Sequence, residues 1–193
     1  MEQVKNAFEF LEKLRAGNEK QAHKYSSLAA YLGLKAREKG IPVSGQFELT
    51  PLCNFNCGMC YVRLSPDQVK ENPLLTVADW KAVMLEAWEA GMLSATLTGG
   101  ECLAYPGFEE LFLYLHSLGC EVAVLTNGSL LDDRRIRFFR EHKPSGIHIT
   151  LYGWNDDVYE RVTGQRAFKM VSGNIRKAIG AATWTGCQGV CFG

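Results

Sequence analysis

The chain is organised around one stretch that carries three cysteines, Thr50-Pro51-Leu52-Cys53-Asn54-Phe55-Asn56-Cys57-Gly58-Met59-Cys60-Tyr61. The second cysteine follows the first by four residues, and the third follows the second by three. Asn54, Asn56 and Gly58 lie between them, and these residue types tolerate the left-handed turns of a tight loop. We expect such a loop to direct three sulfur atoms at one point.

Three thiolates in a short loop indicate a soft metal centre. Iron–sulfur clusters are usually held by four cysteines, so a cluster with three protein ligands keeps one iron free for a small molecule. Zinc is the alternative, with Cys102 or a water as the fourth ligand. A disulfide framework is disfavoured because the chain has 7 cysteines, an odd number.

Composition limits the other function classes. The 193 residues are enough for one domain with a sizeable core, and 21 basic residues balance 21 acidic ones. This balance favours neither nucleic acid nor an anionic membrane as a partner. No apolar run approaches the roughly 18 residues of a spanning helix, and an N-terminus with Glu2, Glu9 and Glu12 does not resemble a signal peptide. We therefore expect a cytoplasmic protein, in a reducing compartment where thiols persist.

Strand and helix patterns alternate along the chain. Helical spacing over residues 4–39 is broken at Gly17-Asn18 and ends at Gly40, a typical cap residue. Residues 62–75 read as an irregular connection. Strands are predicted over 46–50, 94–98, 121–126 and 146–152, and helices over 76–90, 106–118, 132–142, 156–162 and 168–181. This alternation predicts an α/β fold with a parallel sheet and right-handed crossovers.

The strand faces help to choose between a barrel and an open doubly wound sheet. Buried parallel strands normally read apolar on both faces. Here the fourth strand places His148, Thr150 and Tyr152 on one face, and the first and second strands also carry one polar face. A polar inner face indicates an incompletely filled, ligand-lined barrel. The third strand, with Val122 and Val124, fits this less well.

Unusual residues gather where the predicted strands end, which is where parallel α/β folds bind ligands. The cysteine loop follows the first strand, Thr98-Gly99-Gly100-Glu101 the second, Thr126-Asn127-Gly128 the third, and Thr150 lies at the end of the fourth. The two glycines would let the backbone approach a ligand closely. Glu101 adds an anionic seat for a cationic group.

The spacing Cys53-x3-Cys57-x2-Cys60, followed by Gly99-Gly100-Glu101, resembles the signature of the radical S-adenosylmethionine (radical SAM) superfamily. The resemblance runs from about residue 47 to 181. It implies a partial, TIM-like (β/α) barrel, a 4Fe–4S cluster held by Cys53, Cys57 and Cys60, and S-adenosylmethionine as cofactor. By the same resemblance, the remaining residues would contact the cofactor: Met59 (where an aromatic residue is usual) and Tyr61 near the adenine, Thr98, Gly99, Gly100 and Glu101 at the methionine ammonium, and Asn127 and Thr150 at the ribose and carboxylate.

The resemblance also implies an activity. Family members split S-adenosylmethionine reductively to a 5′-deoxyadenosyl radical, which abstracts hydrogen from a substrate. The segment after residue 152 is similar to SPASM-type enzymes, so a peptide or protein substrate is expected, with a flavodoxin- or ferredoxin-like electron donor. The alternative is an iron–sulfur or zinc-binding module without turnover.

The family core has six βα units, and about four are visible here. We therefore divide the chain into an N-terminal helical extension over 1–41, an incomplete radical SAM core over 42–182, and an atypical tail over 183–193. The tail has a weak β pattern with Cys187 and Cys191. We expect a fragment that stops after the fourth unit; a partner subunit or a reduced but functional version are the alternatives.

Overall fold

A computed structural model describes residues 28–71, 74–181 and 190–192. Contacts divide the chain into two units, Met1–Val43 and Ser44–Gly193. In the first unit, helix α1 spans Leu28–Lys39 and is followed by Gly40 with φ 66°. The Ile41 amide then donates to the Ala36 carbonyl at 2.8 Å, so the predicted glycine cap is confirmed. The predicted helix before Gly17 and the start of the second helix lie outside the described residues.

The second unit is a parallel sheet with helical crossovers, and the strand order is β1-β2-β3-β4-β5. The strands are β1 Ser44–Glu48, β2 Ser94–Thr98, β3 Glu121–Thr126, β4 Gly146–Leu151 and β5 Val190–Phe192. The helices are α2 Pro66–Glu71, α3 Val77–Glu89, α4 Phe108–Ser117, α5 Asp133–Glu141, α6 Asp156–Thr163 and α7 Phe168–Ala181, with a 3₁₀ turn at Cys102–Ala104. Within the described ranges, none of the helices is long and apolar enough to cross a membrane.

Two local predictions need correction. Strand β1 begins two residues earlier than predicted, because Ser44 to Glu48 pair in register with Ser94 to Thr98. Helix α2 lies within the connection that was predicted to be irregular. Pro66 opens it, and Ser65 and Gln68 exchange side-chain-to-backbone hydrogen bonds of 2.8 and 3.3 Å. This S-x-x-Q capping box, with proline at the first helical position, is a start signal that the sequence reading missed.

The sheet also has one strand more than the four that were predicted. Strand β5 comes from the tail and pairs in parallel with β4, with Ile149 opposite Val190 and Leu151 opposite Phe192. The free edge of β4 offers unpaired backbone groups, and even a short segment of weak β character can satisfy them.

The two faces of the sheet differ in burial. Phe47, Leu97, Val124 and Ile147 are register neighbours, and all are buried in one core. Phe108 and Phe112 of α4 are completely buried in the same core. The opposite face carries Gln46, which is exposed, and Thr96 and His148, which are half-buried. The prediction of a polar, ligand-lined inner face is therefore supported.

Strand β3, whose sequence fitted a polar inner face less well, shows the same difference between its two faces. Val122 and Val124 lie on the covered face and are fully buried, whereas Ala123 and Leu125 lie on the open face. The open face thus continues across all four long strands.

Replacing Thr76 with alanine tests the start of α3. Thr76 and Asp79 form the predicted capping box, in which the Asp79 amide donates to the Thr76 hydroxyl at 3.2 Å and the Thr76 amide donates to Asp79 at 2.9 Å. Loss of such a cap should lower the free energy of unfolding by about 1 kcal/mol. Urea unfolding measures this loss. The control is Ser172→Ala in α7, a half-buried residue whose hydroxyl makes one local hydrogen bond, to the Lys169 carbonyl, and caps no helix; it is expected within about 0.5 kcal/mol of the parent.

The cost of Thr76→Ala should also depend on pH. Hydrogen bonds from the Thr76 hydroxyl and backbone lower the pKa of Asp79 below its ordinary value of 3.8. The contribution is therefore present above pH 3.8 and is lost as the pH falls through the lower, folded-state pKa. A cost that stays the same from neutral to strongly acidic pH would contradict this coupling.

Candidate metal centre and cofactor pocket

The cysteine loop follows β1 and is anchored at the C-terminal end of α6. The amides of Asn56 and Gly58 donate to the carbonyls of Thr163 and Val162 at 2.8 and 3.2 Å. Phe55, 3% exposed, is buried beneath the loop and makes edge-to-face contacts with Tyr152 and Tyr159. The helix end and the buried ring together hold the loop in one conformation.

The three cysteines of the loop carry free thiols and line one cavity of about 450 Å³. Burial raises the pKa of the Cys53 and Cys57 thiols. Nearby negative charge raises these pKa values further: Cys53 and Cys60 act on Cys57, and Glu101 and then Cys60 act on Cys53. The fold thus places the three cysteines of the loop at one cavity, and their role as joint ligands stays a prediction.

Backbone amides donate hydrogen bonds to two of these sulfurs, from Phe55 to Cys53 at 3.3 Å and from Arg63 to Cys60 at 3.3 Å. At the third sulfur, the side chain of Tyr152 lowers the pKa of Cys57, against the effect of burial. Donors of this kind stabilise thiolates rather than thiols. The donor set therefore fits a group that binds three thiolates, such as an iron–sulfur cluster.

Zinc and an iron–sulfur cube make different demands on the three cysteines. Zinc draws its sulfur ligands to about 2.3 Å from one point. In a cube, by contrast, each thiolate binds a different iron, so the ligands stand further apart. Among residues 28–71, 74–181 and 190–192, no three His, Cys, Asp or Glu side chains are placed to hold one ion. Metal content after reconstitution distinguishes the two groups.

Gly99 and Gly100 serve a close approach, but their nearest neighbours belong to the chain itself. A Cβ atom on Gly100 would lie 2.5 Å from the Leu52 carbonyl oxygen, and one on Gly99 would overlap the Thr50 carbonyl oxygen. The Gly100 amide donates to Thr50 at 2.6 Å, and the Glu101 amide donates to Leu52 at 3.0 Å. The glycines therefore fasten the end of β2 to the stem of the cysteine loop, while they also line the cavity.

Replacing Gly99 with alanine should be costly for this reason. Gly99 has φ 137°, so alanine would add backbone strain to the overlap with Thr50. We expect the free energy of unfolding to fall by about 2–3 kcal/mol. Gly119→Ala is the matched control, because Gly119 also has a positive φ, 79°, but no atom within 4 Å of the added Cβ. If urea unfolding shows equal losses of unfolding free energy in the two variants, the close packing against Thr50 does not contribute to the cost.

Glu101 is the one predicted site residue that does not line the cavity in the part of the chain described. Its carboxylate is 1% exposed and accepts from the Thr126 hydroxyl at 2.7 Å, the Asn127 amide at 2.8 Å and the Leu103 amide at 3.0 Å. Burial raises its pKa, while the hydrogen bonds and the charge of Arg135 oppose that shift. Its predicted contact with an ammonium group stays a prediction; the observed role is to join the ends of β2 and β3.

The other predicted residues surround one cavity. The cysteines lie on one side, Thr98, Gly99, Gly100 and Asn127 form the strand-end wall, Thr150 lies on β4, and Met59 and Tyr61 are exposed at 65% and 93%. His148 and Leu125 complete the lining on the open face of the sheet. The fold thus brings together residues as far apart in the sequence as Cys53 and Thr150, which are separated by 97 positions.

Several contributing residues were missed at the sequence level. Asn54 and Ser129 form a hydrogen-bonded group with Asn127, and Arg63 binds both Cys60 and the Asn56 side chain. The pattern Asn127-Gly128-Ser129 is a local turn signal that was available. The contact of this turn with Asn54 joins residues far apart in sequence, and no local pattern indicates it.

The chain is similar in sequence to a family model and to several known proteins. The family model described as the radical SAM superfamily matches residues 47–189. AlbA of Bacillus subtilis, an antilisterial bacteriocin subtilosin biosynthesis protein, is 29% identical over 132 residues, which are 68% of this chain and 29% of AlbA. A probable GTP 3′,8-cyclase of Saccharolobus solfataricus is 34% identical over 135 residues, which are 68% of this chain and 42% of the cyclase.

Among solved structures, SuiB of Streptococcus suis bound to the precursor peptide SuiA has a similar fold. The TM-score is 0.63 at 17% identity, and the match covers 93% of this chain and 44% of SuiB. The chain therefore spans less than half the length of each of these three proteins.

Proposed function

The chain belongs to the radical SAM superfamily, and from that premise we propose that Cys53, Cys57 and Cys60 hold a 4Fe–4S cluster while the adjoining cavity binds S-adenosylmethionine. One observation carries this proposal: the three thiols, two of which accept hydrogen bonds from backbone amides, line the cavity that the ends of β2, β3 and β4 also line. The volume, about 450 Å³, lies in the usual range for small-molecule sites.

When bound, the cluster and S-adenosylmethionine supply an electron and a 5′-deoxyadenosyl radical, the difficult chemistry that a cofactor brings to a protein. The chain's own residues would orient the cluster and S-adenosylmethionine and shield them from solvent. The anchored loop holds the three sulfurs, and the amides of Phe55 and Arg63 and the side chain of Tyr152 favour their charged form. Thr98 and Thr150 offer hydroxyl groups on the cavity wall. The side chains of Met59 and Tyr61 stand at its mouth, available to cover an aromatic base.

We propose a peptide or protein as the substrate. AlbA is named for biosynthesis of a bacteriocin, whereas the cyclase is named for GTP. A nucleoside triphosphate needs cationic partners. The described residues that line the cavity include no lysine or arginine, and this favours the uncharged backbone of a peptide over a triphosphate.

The proposal includes a small electron-transfer protein as the reductant, because the cluster must be reduced before it can act. It also places the protein in a reducing cytoplasm, where thiols and clusters persist.

Anaerobic reconstitution with iron and sulfide tests the proposal. We expect about four irons per chain, visible charge-transfer absorbance, and 5′-deoxyadenosine after addition of S-adenosylmethionine and dithionite. About one zinc per chain, with no iron uptake, would establish the zinc-module alternative. Full cluster loading without 5′-deoxyadenosine would point to a binding module without turnover. Whether the substrate is a peptide or GTP is then decided by which of the two increases the yield of 5′-deoxyadenosine.

A further inference from the structure

Asn127, which follows β3, has a side chain whose hydrogen-bonding groups are all in use. Its Nδ2 donates to the Asn54 side chain at 2.9 Å and lies 3.7 Å from the Cys53 sulfur as a second donor contact. Its Oδ1 accepts from the Ser129 amide at 2.9 Å and from the Ser129 hydroxyl at 2.6 Å. A primary amide has two N–H donors and two acceptor lone pairs. No capacity is left for a bound small molecule.

Asn127 is also held rigidly. The residue is 6% exposed, and its backbone amide donates to the buried carboxylate of Glu101 at 2.8 Å. The side-chain amide of Asn54 closes a ring of hydrogen bonds, because its Nδ2 donates to the Ser129 hydroxyl at 2.7 Å. The Cys53 sulfur is therefore linked to the ends of β2 and β3 through a network of buried and part-buried hydrogen bonds, of which the contact to the sulfur is the longest, at 3.7 Å.

We propose that Asn127 is a positioning residue for Cys53: its amide fixes the Cys53 side chain and donates a hydrogen bond to the sulfur, which raises the reduction potential of the cluster that this sulfur holds. The proposal rests on the proposed function only in requiring that a cluster is bound. It replaces direct contact with the cofactor, the role predicted for Asn127 from the resemblance.

The physical basis is the charge on the sulfur. Reduction adds an electron to the cluster, and a hydrogen bond to a ligand sulfur stabilises that added negative charge. Partners in a second layer around a metal site also orient its ligands and tune it. Removing the Asn127 donor should thus make reduction harder and leave Cys53 less well placed.

The experiment compares Asn127→Ala and Asn127→Asp with Asn174→Ala in the reconstituted full chain. Asn127→Asp keeps the acceptor for Ser129 but has no Nδ2 donor. Asn174 is the matched control, because its side-chain amide supports the same turn. The Asn174 Nδ2 donates to the carbonyls of Gly128 and Ser129 at 3.0 and 3.2 Å. No contact between Asn174 and a cysteine sulfur is found among the described residues. The readouts are iron per chain and the midpoint potential from a redox titration followed by electron paramagnetic resonance.

We expect the equilibrium constant for one-electron reduction to fall about tenfold in Asn127→Ala, a shift of about 59 mV to more negative potential. Asn127→Asp should shift it further, because a carboxylate then faces the sulfur. Asn174→Ala should retain the parent potential. If a variant loads less iron instead, a loss confined to the Asn127 variants likewise supports the positioning role.

Two results would overturn the inference. One is an unchanged potential and iron content in both Asn127 variants. The other is an equal change in all three variants, which would mean that the turn matters only for stability. Failure of the proposed function is distinguishable, because in that case the parent chain itself takes up no cluster.

Discussion

Replacement of Cys57 with alanine is expected to reduce iron loading from about four atoms per chain to near zero and to abolish 5′-deoxyadenosine formation. Cys57 lies between the other two cysteines in the loop, and its sulfur interacts with both. The cluster would then have two protein ligands, too few to hold it against loss to solvent. Iron analysis after anaerobic reconstitution and chromatographic detection of 5′-deoxyadenosine check both expectations.

Cys120→Ala is the control for this experiment. Cys120 is buried, 5% exposed, beside the carbonyl of Met92, and it does not line the cavity. Its loss should leave iron loading and product formation close to those of the parent. Retention of a full cluster by Cys57→Ala would show that this cysteine is not a ligand.

Replacement of Glu101 with alanine is expected to lower the free energy of unfolding by about 4 kcal/mol, because three buried donors would lose their acceptor at once. These donors are the Leu103 amide, the Asn127 amide and the Thr126 hydroxyl. Glu101→Gln should cost less, since a glutamine can still accept from part of this set. Urea unfolding of the metal-free protein measures both variants, so the result does not depend on the cofactor.

Glu110→Ala serves as the matched control for the loss of a carboxylate. Glu110 is paired with Lys81 at the surface, at 2.6 Å, and its side chain is 58% exposed. Surface pairs of this kind contribute roughly 0–1 kcal/mol. A different outcome would support the role predicted for Glu101 from the family resemblance. If Glu101→Gln keeps the parent stability but weakens binding of S-adenosylmethionine to the loaded protein, the carboxylate acts on the ammonium.

The contrast between Glu101 and the cysteines shows how far prediction from sequence reached. The ends of β2 and β3 were predicted correctly, since alternation and the turn residues that follow are local signals. Among the side chains at the strand ends, Thr98, Asn127 and Thr150 line the cavity, whereas Glu101 is buried in hydrogen bonds to Thr126 and Asn127. The glycines were expected to make room for a ligand, yet their Cβ positions are occupied by the carbonyls of Thr50 and Leu52.

The two errors in the fold have different origins. Helix α2 does have a local signal, the Ser65–Gln68 capping box, and it was overlooked. Strand β5 is different, because three residues of weak β character become a strand only when the free edge of β4 is present. Pairing of this kind cannot be recognised within a short window of sequence.

Local patterns in the chain were thus sufficient to predict the four long strands, the helices between them and the parallel sheet, because each pattern depends on residues a few positions apart. The tertiary structure alone decided which polar groups face the cavity and which are used internally. Glu101 bonds to Asn127, 26 residues away, and Asn127 bonds to Asn54, 73 residues away. A buried polar group must find a partner, and folding rather than sequence proximity determines which partner lies within reach.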